Sequence, residues 1–347
     1  MGVIAWFDEI GLADRPRVGG KGGSLGELLH AGIAVPPGFV VATDAFDRFI
    51  RALEREAPMR SRIEALSGDN LSEAAACCAD IRARIEATEL PCDLLEELSW
   101  AHSVLCAADG CPPVAVRSSA TTEDAADASF AGLQDTYLWV TDLSQTVQKL
   151  RSCWASLYSV ESVTYRRKRG LPEEGVAMAV VVQKMVDART AGVMFTRSPI
   201  TGDRSVVTVE GAWGLGSAVV GGEVTPDRWV LGKITGDISV REISDKLIQH
   251  VPVPGGGTTS VSVAEDLRHA PCVSDEELEA LRAIARKVER HYGRPQDIEW
   301  AVERGTNQIL LLQSRPETVW SAKEAAPVAR PAADPLLHVM SIFGGRK

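Results

Sequence analysis

Two polar residues near the C-terminal end of the sequence lie in a pattern that could bind a metal ion. Glu299 belongs to the polar-apolar segment 296–300, and Gln313 comes fourteen positions later, directly after the apolar run 309–312. Carboxylate and amide oxygens are hard ligands of the kind that Mg²⁺ prefers. The pattern is typical of a β-hairpin that brings both side chains together. A surface hairpin with scattered charges would explain the same residues.

Arg315 could supply a fixed positive charge at the same place. It lies two positions after Gln313, so on a strand both side chains point to the same face of the sheet. A metal ion beside a fixed cation is the arrangement that stabilises the charges of a triphosphate. The predicted hairpin is therefore a candidate site for Mg²⁺ and phosphate.

A glycine-rich segment near the N-terminus is a second candidate for binding phosphate. Residues 19–24 read Gly-Gly-Lys-Gly-Gly-Ser, and Leu25, Leu28 and Leu29 follow at helical spacing. Glycines let backbone N–H groups approach an anion, and a helix start adds the positive end of its dipole. Lys21 would add a mobile charge. The segment fits neither a P-loop nor a dinucleotide fingerprint, and a plain turn before a helix explains it equally well.

Two polar segments in the middle of the chain are typical of loops that contact phosphate. Residues 117–124 follow an apolar strand predicted at 114–116, and Arg117 offers a bidentate fork for phosphate oxygens. Residues 129–137 are rich in small side chains and could form a flap over the phosphates. A Ser/Thr-rich helix cap would explain the first segment, and an ordinary hairpin the second.

Two further segments could bind the rest of a nucleotide. Gln183, Lys184, Met185 and Val186 end an apolar strand predicted at 176–182. A base needs backbone donors and acceptors between apolar walls, although a strand that runs out into a turn has the same pattern. Glu210, within a glycine-rich stretch, could accept hydrogen bonds from the ribose hydroxyls.

The composition excludes several other classes of function. The chain has 347 residues, 45% of them hydrophobic, and a net charge of −10 without a polybasic block. We therefore expect neither nonspecific nucleic-acid binding nor membrane-surface binding. The basic cluster 166–169 is interpreted as the solvated end of a helix, since cations favour helix C-termini. The six histidines show no spacing typical of a catalytic triad and are interpreted as surface or packing residues.

The N-terminal residues and the cysteines predict where in the cell the protein is located. Residues 1–10 lack the basic start and apolar core of a signal peptide, and no stretch approaches 18 apolar residues. Seven scattered cysteines without a Cys-x-x-Cys pair indicate free thiols rather than a zinc site. A soluble cytoplasmic protein is the expectation.

The elements that must position these residues are of mixed type, which predicts an α+β or mixed α/β fold. Residues 51–110 have helical periodicity, residues 253–275 resemble a long loop, and residues 275–291 form an amphipathic pattern between a Ser274 cap and a Gly293 stop. The predicted domains are an N-terminal lobe, a C-terminal lobe, and an Ala/Pro-rich linker with an apolar tail; their bounds are 1–188, 189–320 and 321–347.

These motifs occur together in an order that resembles one known family. The segments 19–22, 36–39, 116–124, 130–132, 183–186, 192–195, 297–300 and 313–316 are similar to the ATP-grasp nucleotide-binding domain of the phosphoenolpyruvate synthase, pyruvate phosphate dikinase and rifampin phosphotransferase group. The resemblance covers residues 3–320. It implies an ATP-grasp fold with two lobes and the nucleotide in the cleft between them.

The resemblance also implies roles for individual residues, with ATP and Mg²⁺ as cofactors. Lys21 and Arg117 would hold the triphosphate, Glu299 and Gln313 would bind Mg²⁺, and Arg315 would contact phosphate. The spacing from Glu299 to Gln313 is slightly long for the family, which predicts a longer turn. The remaining implied nucleotide contacts are a phosphate lid (Gly132, Leu133, Gln134, Thr136), an adenine hinge (Gln183, Lys184, Met185, Val186) and Glu210.

In this family ATP donates its β,γ-pyrophosphoryl group to a histidine on a separate swivelling domain, which then phosphorylates an acceptor. This sequence has no Thr-Cys-His or Thr-Ser-His loop. We therefore expect one subunit of a split phosphotransferase, whose partner subunit carries the phosphohistidine domain and the acceptor site. Phenol is the favoured acceptor, and pyruvate or an antibiotic are alternatives. A self-contained kinase or ATPase and a noncatalytic nucleotide sensor are the other classes.

Overall fold

A computed structural model describes residues 2–66, 71–121, 124–125, 128–129 and 135–320. Its α-helices are α1 (Arg15–His30), α2 (Thr43–Glu56), α3 (Arg60–Glu64), α4 (Leu71–Ala87), α5 (Cys92–Asp109), α6 (Leu143–Ser156), α7 (Val160–Lys168), α8 (Ser217–Val220), α9 (Glu265–Arg268) and α10 (Asp275–Tyr292). Short 3₁₀ helices precede α1 at Phe7–Glu9 and Leu12–Asp14. Residues 51–110 are thus mainly helical, as their periodicity predicts.

The strands are β1 (Ile4–Trp6), β2 (Gly38–Val41), β3 (Val114–Ala120), β4 (Asp124–Ala125), β5 (Ala128–Ser129), β6 (Thr136–Val140), β7 (Met178–Lys184), β8 (Ala188–Phe195), β9 (Val206–Trp213), β10 (Asp227–Gly232), β11 (Ile238–Glu242), β12 (Ile248–Pro252), β13 (Thr258–Ser262), β14 (Gln296–Glu303) and β15 (Ile309–Pro316). They form one sheet in the order β1-β2-β7-β3-β6 and a second in the order β11-β10-β9-β8-β14-β15. β12 pairs with β13, and β4 pairs with β5. The predicted mixed fold class is confirmed.

The first sheet is buried on both faces, which explains the continuous apolar run of β7. On one face Phe39, Val116 and Val182 pack against the helices between α2 and α7, where Trp154 is fully buried. Strands covered on both sides do not alternate between apolar and polar residues. This first core therefore fixes the position of β3, the strand that carries Arg117.

A second core joins the other face of the first sheet to the second sheet. It contains Val181 from β7, Leu25 from α1 and Trp300 from β14. Side chains alternate along β14, so Trp300 and Ile298 face this core while Glu299 points to the opposite face. Truncating a fully buried Trp such as Trp300 costs about 3–5 kcal/mol. The same alternation that stabilises the sheet keeps Glu299 out of the core.

The predicted limits of α10 are confirmed at both ends. The Ser274 hydroxyl accepts a hydrogen bond from the Glu277 N–H at 3.2 Å, and the Glu277 carboxylate accepts one from the Ser274 N–H at 2.9 Å. Gly293 ends the helix in the left-handed conformation, with a φ of 67°. A cap and a stop act within a few residues, so the sequence predicts them well.

The predicted long loop over residues 253–275 is wrong. β12 and β13 form an antiparallel hairpin whose tip contains Gly255, Gly256 and Gly257, and α9 follows. All three glycines have a positive φ, which a tight turn between strands can require. The glycine content was typical of a loop, whereas the alternating Thr, Ser and Val residues after it form a strand.

The two sheets are formed by successive parts of the sequence, and the second core contains residues from both of them. The strands of the first sheet end by Lys184, and those of the second begin at Ala188. The domain division at 188/189 stays a prediction, and the predicted linker and tail at 321–347 lie outside the described residues. None of the helices in the described ranges is long and apolar enough to cross a membrane.

One interpretation of the cysteines is corrected. A disulfide joins Cys106, near the end of α5, to Cys111. The five other cysteines are free, as predicted. The turn after α5 brings the two sulfur atoms together, and this turn is not apparent from the spacing of the cysteines alone.

Candidate functional site

A cavity of about 440 Å³ lies between the two sheets. This volume falls within the range of roughly 300–1,000 Å³ that is usual for small-molecule sites. The lining includes seven residues that the sequence analysis singled out. They are Arg117, Thr136, Gln183, Lys184, Met185, Val186 and Glu299.

At one end of the cavity, Arg117 connects the two sheets. Its Nη2 donates to Glu299 Oε2 at 3.1 Å and to Gln313 Oε1 at 2.7 Å, and its Nη1 donates to the carbonyl of Leu312 at 2.9 Å. Glu299 and Gln313 are direct cross-strand partners in the β14–β15 hairpin. Because both oxygens approach a single nitrogen atom, they converge on a common point, as two ligands of one cation must.

The residues at this end fit a magnesium ion together with an anion. Carboxylate and amide oxygens suit Mg²⁺, and the Glu299 side chain is 29% exposed, so a ligand can reach it. Arg117 is itself buried, and its Nε has no hydrogen-bond partner among the described residues. A buried donor without a partner is costly unless a ligand or water accepts from it. This end of the cavity therefore favours phosphate oxygens.

The extra length between Glu299 and Gln313 is located in a strand. Glu299 pairs with Gln313, whereas the next residue, Trp300, pairs with Leu311. Leu312 is therefore the additional residue of a β-bulge, where the sequence predicted a longer turn. A bulge redirects side chains at the edge of a site. Here it places the Leu312 carbonyl next to Arg117 and leaves Gln313 opposite Glu299.

Arg315 lies one step further along the hairpin, beside Asp297. These two residues are cross-strand partners, and Arg315 Nε lies 3.4 Å from Asp297 Oδ2. Burial raises the pKa of Asp297, and the charge of Arg315 opposes that shift. The Arg315 side chain is 55% exposed. It is therefore an accessible cation, and it lies on the same face of the sheet as Gln313.

The glycine-rich segment contains a break between two helical stretches, and the second stretch begins after Gly19, as the predicted helix start requires. α1 runs through it and breaks at Gly19, where φ is 72°. A Cβ atom at Gly19 would lie 2.2 Å from the Ser119 carbonyl oxygen, so only glycine fits. The Ser119 hydroxyl donates to the Val18 carbonyl at 2.9 Å and accepts from the Gly22 N–H at 3.2 Å.

This kink places Lys21 next to β3, near the strand position of Arg117. Ser119, which holds the kink, lies two residues after Arg117 and on the same face of the sheet. Further along α1, the Ser24 hydroxyl donates to the Ser314 carbonyl of β15 at 2.6 Å. Lys21 is buried and does not line the cavity. The glycine-rich segment is thus fixed to both strands that form the charged end of the cavity.

The opposite end of the cavity is apolar. Met185 and Val186 lie there with Ala191, Leu215 and Ala301 in a small hydrophobic cluster. This environment suits a flat, weakly polar ring.

The predicted hinge uses part of its hydrogen-bonding capacity within the protein. The N–H groups of Lys184 and Met185 donate to the carbonyls of Pro37 and Pro113, each at 2.9 Å. The buried Gln183 side chain donates to the Pro36 carbonyl at 3.4 Å. Among the described residues, no acceptor contacts the N–H of Val186. That amide is therefore the hinge donor open to a base.

Glu210 does not line the cavity. It lies on β9, opposite Val193 and Arg228. Burial raises the pKa of Glu210, and Arg228 opposes the shift. The Arg228 guanidinium pairs instead with Glu242. Glu210 thus lies in the same cross-strand row as Glu299, with Val193 between them, but outside the lining of the cavity.

The predicted phosphate lid is described only at its end. Thr136 lines the cavity and pairs with Arg117 across β3 and β6. Gly132, Leu133 and Gln134 lie outside the described residues.

The sequence analysis did not single out Ser217 or His250 as site residues. Ser217 lines the cavity, and its hydroxyl lies 2.8 Å from Nδ1 of His250 on β12. His250 was interpreted as a surface or packing residue, but its side chain is only 12% exposed. The glycines on either side of Leu215 were the one available signal for a close approach here, because Gly214 contacts the His250 backbone.

A second cavity of about 200 Å³ lies beside α7 and is lined by Arg166, Leu171 and Val176. Arg166 belongs to the basic cluster predicted to be a solvated helix end, but it is buried. All of its nitrogen atoms are paired, with Glu173, the Leu157 carbonyl and the Ser162 hydroxyl. Arg166 therefore has no unpaired nitrogen to offer a ligand in this cavity.

Comparisons with known proteins agree with this geometry. The family model described as "Pyruvate phosphate dikinase, AMP/ATP-binding domain" matches residues 15–334. The probable phosphoenolpyruvate synthase of Methanocaldococcus jannaschii is 40% identical over 320 residues, covering 92% of this chain and 27% of the relative. That of Methanothermobacter thermautotrophicus is 41% identical over 317 residues, covering 91% and 46%.

The phosphoenolpyruvate synthase of Aeropyrum pernix is 39% identical over 365 residues, covering 95% of this chain and 44% of the relative. The chain thus spans less than half the length of these relatives. Among solved structures, D-alanyl-alanine synthetase A of Vibrio cholerae aligns with 70% of this chain and 54% of that chain. Its identity is 11% and its TM-score 0.27, which is too distant to bear on this chain.

Proposed function

We propose that this chain, which belongs to the pyruvate phosphate dikinase AMP/ATP-binding domain family, binds MgATP in the 440 Å³ cavity and transfers its pyrophosphoryl group to a histidine. One observation carries the proposal. Arg117 and Glu299 line one end of the cavity, where Gln313 contacts Arg117 from behind the lining, and an apolar wall with an open amide lies at the other. A nucleoside triphosphate has this same order of charged and apolar parts.

In this proposal the base lies against Met185 and Val186, and the triphosphate reaches toward Arg117. Glu299 and Gln313 would hold Mg²⁺, which neutralises charge on the phosphate oxygens when bound. Arg117, which lines the cavity, would donate to a phosphate oxygen. Arg315 and Lys21 would supply further positive charge. Positioning and electrostatic stabilisation provide most of the catalysis in phosphoryl transfer.

The reaction breaks the bond between the β-phosphorus and the oxygen that bridges it to the α-phosphorus, and AMP leaves with that oxygen. The new bond joins the β-phosphorus to an imidazole nitrogen. None of the histidines in the described residues lines the cavity. In the proposal, a histidine on a swivelling domain of a partner subunit receives the group.

Water would first hydrolyse the phosphoanhydride bond of the pyrophosphohistidine and release inorganic phosphate. The partner would then pass the remaining phosphoryl group to a small acceptor. Phenol is the favoured acceptor, as in phenylphosphate synthase, to which the motif set is similar. Pyruvate is the alternative that the names of the relatives favour, and an antibiotic is a third.

Product analysis and labelling test the proposal. The chain would be captured from its host with its partner, and the complex incubated with ATP labelled at the β-phosphate. We expect AMP as the nucleotide product and label on a histidine of the partner. ADP without labelled histidine would instead indicate a self-contained kinase or ATPase.

A matched pair of variants tests the metal role in the same assay. Glu299→Gln should lower turnover by about 10²–10³-fold, the range for losing one electrostatic group of a site. Glu303→Gln, on the same strand but at the hairpin turn, should retain wild-type turnover. Retained turnover in Glu299→Gln would contradict the metal role.

A further inference from the structure

We propose that Ser217, oriented by His250, recognises a ribose hydroxyl of the nucleotide. The inference rests on the proposed binding of ATP in the cavity. It gives a role to two residues that the sequence analysis left without one: Ser217, which lines the cavity, and His250, which contacts Ser217 from outside the lining.

Ser217 occupies a distinctive place on the cavity wall. The part of the lining that follows β7 consists of small or apolar residues with only two exceptions that carry a hydroxyl or a charge, Ser217 and Glu299. Leu215, two positions before Ser217, belongs to the apolar cluster at the base end. Glu299 belongs to the charged end. A ribose links base and phosphates, so its hydroxyls must lie between these two ends.

The hydrogen bonds around His250 determine which way the Ser217 hydroxyl points. His250 Nε2 lies 3.3 Å from Glu223 Oε2, and Nδ1 lies 2.8 Å from Ser217 Oγ. A carboxylate oxygen only accepts, so Nε2 carries the proton in this contact. In the neutral ring Nδ1 then accepts from the Ser217 O–H. The lone pairs of Ser217 remain available to accept a hydrogen bond from a ribose O–H.

The backbone of His250 also holds the loop that carries Ser217. The Leu215 N–H donates to the His250 carbonyl at 3.0 Å. A Cβ atom at Gly214 would lie 2.5 Å from the same carbonyl, and Gly214 has a φ of 75°. The backbone carbonyl and the imidazole of His250 thus both hold the segment 214–217. The position of Ser217 therefore does not depend on its own side chain alone.

The hairpin that carries His250 is anchored at its other end to the first sheet. At its tip, the Gly257 N–H donates to the Trp139 carbonyl at 2.9 Å, and the Gln145 side chain donates to the Gly255 carbonyl at 3.3 Å. Trp139 packs beside the apolar cluster of the cavity. A support held at both ends can position His250 as a rigid element would.

Glu210 is the alternative ribose contact that the sequence suggested, and the geometry does not favour it. It lies outside the lining of the cavity. On the six-stranded sheet it is separated from Glu299 by β8, through Val193. Two strand spacings amount to about 9–10 Å, so Glu210 shares a face with Glu299 but lies outside the lining that contains Ser217.

Calorimetric titration of the full chain with Mg²⁺ and three nucleotides tests the inference. The nucleotides are ATP, 2′-deoxyATP and 3′-deoxyATP. The wild-type chain should bind one deoxy analogue about three- to tenfold more weakly than ATP, the effect of one net hydrogen bond. Ser217→Ala should bind ATP and that analogue with equal affinity. Its unchanged affinity for the analogue shows that the variant is folded.

Variants of His250 test whether this residue orients the Ser217 hydroxyl or only stabilises the fold. His250→Ala should reduce the preference for ATP over the analogue, whereas His250→Asn, which keeps an acceptor near the position of Nδ1, should restore much of it. Ser205→Ala, whose hydroxyl bonds to Asp203 outside the cavity, should keep the wild-type preference.

The outcomes distinguish the inference from the function on which it rests. If the wild-type chain binds ATP but shows no preference, or if Ser217→Ala keeps the full preference, the ribose role is wrong and the proposed function stands. A wild-type preference retained in His250→Ala overturns the positioning role. If no nucleotide binds to the wild-type chain, the proposed function itself fails.

Discussion

Each of the two cavities described above contains a buried arginine, and the arginines differ in how many of their donors are satisfied. Arg166, in the smaller cavity, forms a bidentate pair with Glu173 and also donates to a carbonyl and a hydroxyl. Arg117, in the larger cavity, leaves Nε without a partner among the described residues.

The carboxylates opposite the two arginines differ in the same sense. The Glu173 side chain is 3% exposed, whereas that of Glu299 is 29% exposed. A buried pair with every donor satisfied has no capacity left for a ligand. A pair that retains a free donor and a reachable carboxylate can bind one. The comparison agrees with a structural role for Arg166 and with the proposed phosphate-binding role for Arg117.

The largest expected effect is on stability, at Arg166. Arg166→Met leaves the Glu173 carboxylate buried without its cation, which costs about 3–5 kcal/mol. Urea denaturation measures this loss in the free energy of unfolding. A stability loss no greater than that of an exposed variant such as Arg169→Met would contradict the structural role of Arg166.

The next effect is on activity, at Arg117. Arg117→Met should lower turnover by about 10²–10³-fold, since it removes a phosphate-binding cation and the bridge to Glu299 and Gln313. We expect a smaller loss of stability than in Arg166→Met, because Glu299 can still be hydrated. Steady-state kinetics and urea denaturation of both variants provide the test. The comparison fails if Arg117→Met proves the less stable of the two.

A smaller effect is expected at Ser119, which fixes the kink of α1 to the strand of Arg117. Ser119→Ala leaves the Gly22 N–H and the Val18 carbonyl without this partner, which costs about 1–3 kcal/mol. ATP affinity should fall as well, because the kink positions Lys21. The matched control is Ser103→Ala, whose hydroxyl bonds within the exposed part of α5. Equal ATP affinity in both variants would show that the kink of α1 does not contribute to ATP binding.

The smallest effect concerns the pH dependence of stability at Glu210, a half-buried carboxylate that lacks the cation pairing of Glu173. Its pKa is raised by burial, so the folded state holds this proton more tightly than the unfolded state. Stability is therefore lost as the pH rises from the unfolded pKa to the raised one. Glu210→Gln should remove this loss and flatten the profile.

Thermal unfolding between pH 4 and pH 7 measures the difference between wild type and Glu210→Gln. A steeper loss of stability with rising pH in the variant would show that burial does not dominate at this position. Glu242→Gln is the control at an exposed carboxylate, where Arg228 lowers the pKa by a hydrogen bond. It should shift the profile in the opposite direction.

The sequence predicted the charged end of the site better than its middle. The spacing of Glu299, Gln313 and Arg315 predicts a hairpin, and the strands confirm that pairing. Residues two apart on a strand share a face, so a short stretch of sequence fixes their relation. Ser217 and His250 lie 33 positions apart in different elements, and no local periodicity relates them.

By itself the sequence determined the features that depend on neighbouring residues. These are the caps of α10, the helical periodicity between residues 51 and 110, the strand that contains Glu299, and the ordered motifs of the family. Local hydrogen bonds and side-chain alternation act over a few positions, so their pattern is present in the chain before it folds.

Only the tertiary structure decided which of these features meet. Arg117 reaches Glu299 across 182 positions because the second core packs α1 and the two sheets together. The same packing turned the glycine-rich segment into a kinked helix, satisfied Arg166 internally and kept Glu210 away from the cavity. Such contacts depend on how whole layers of the protein fit together, and a local pattern of residues does not specify that fit.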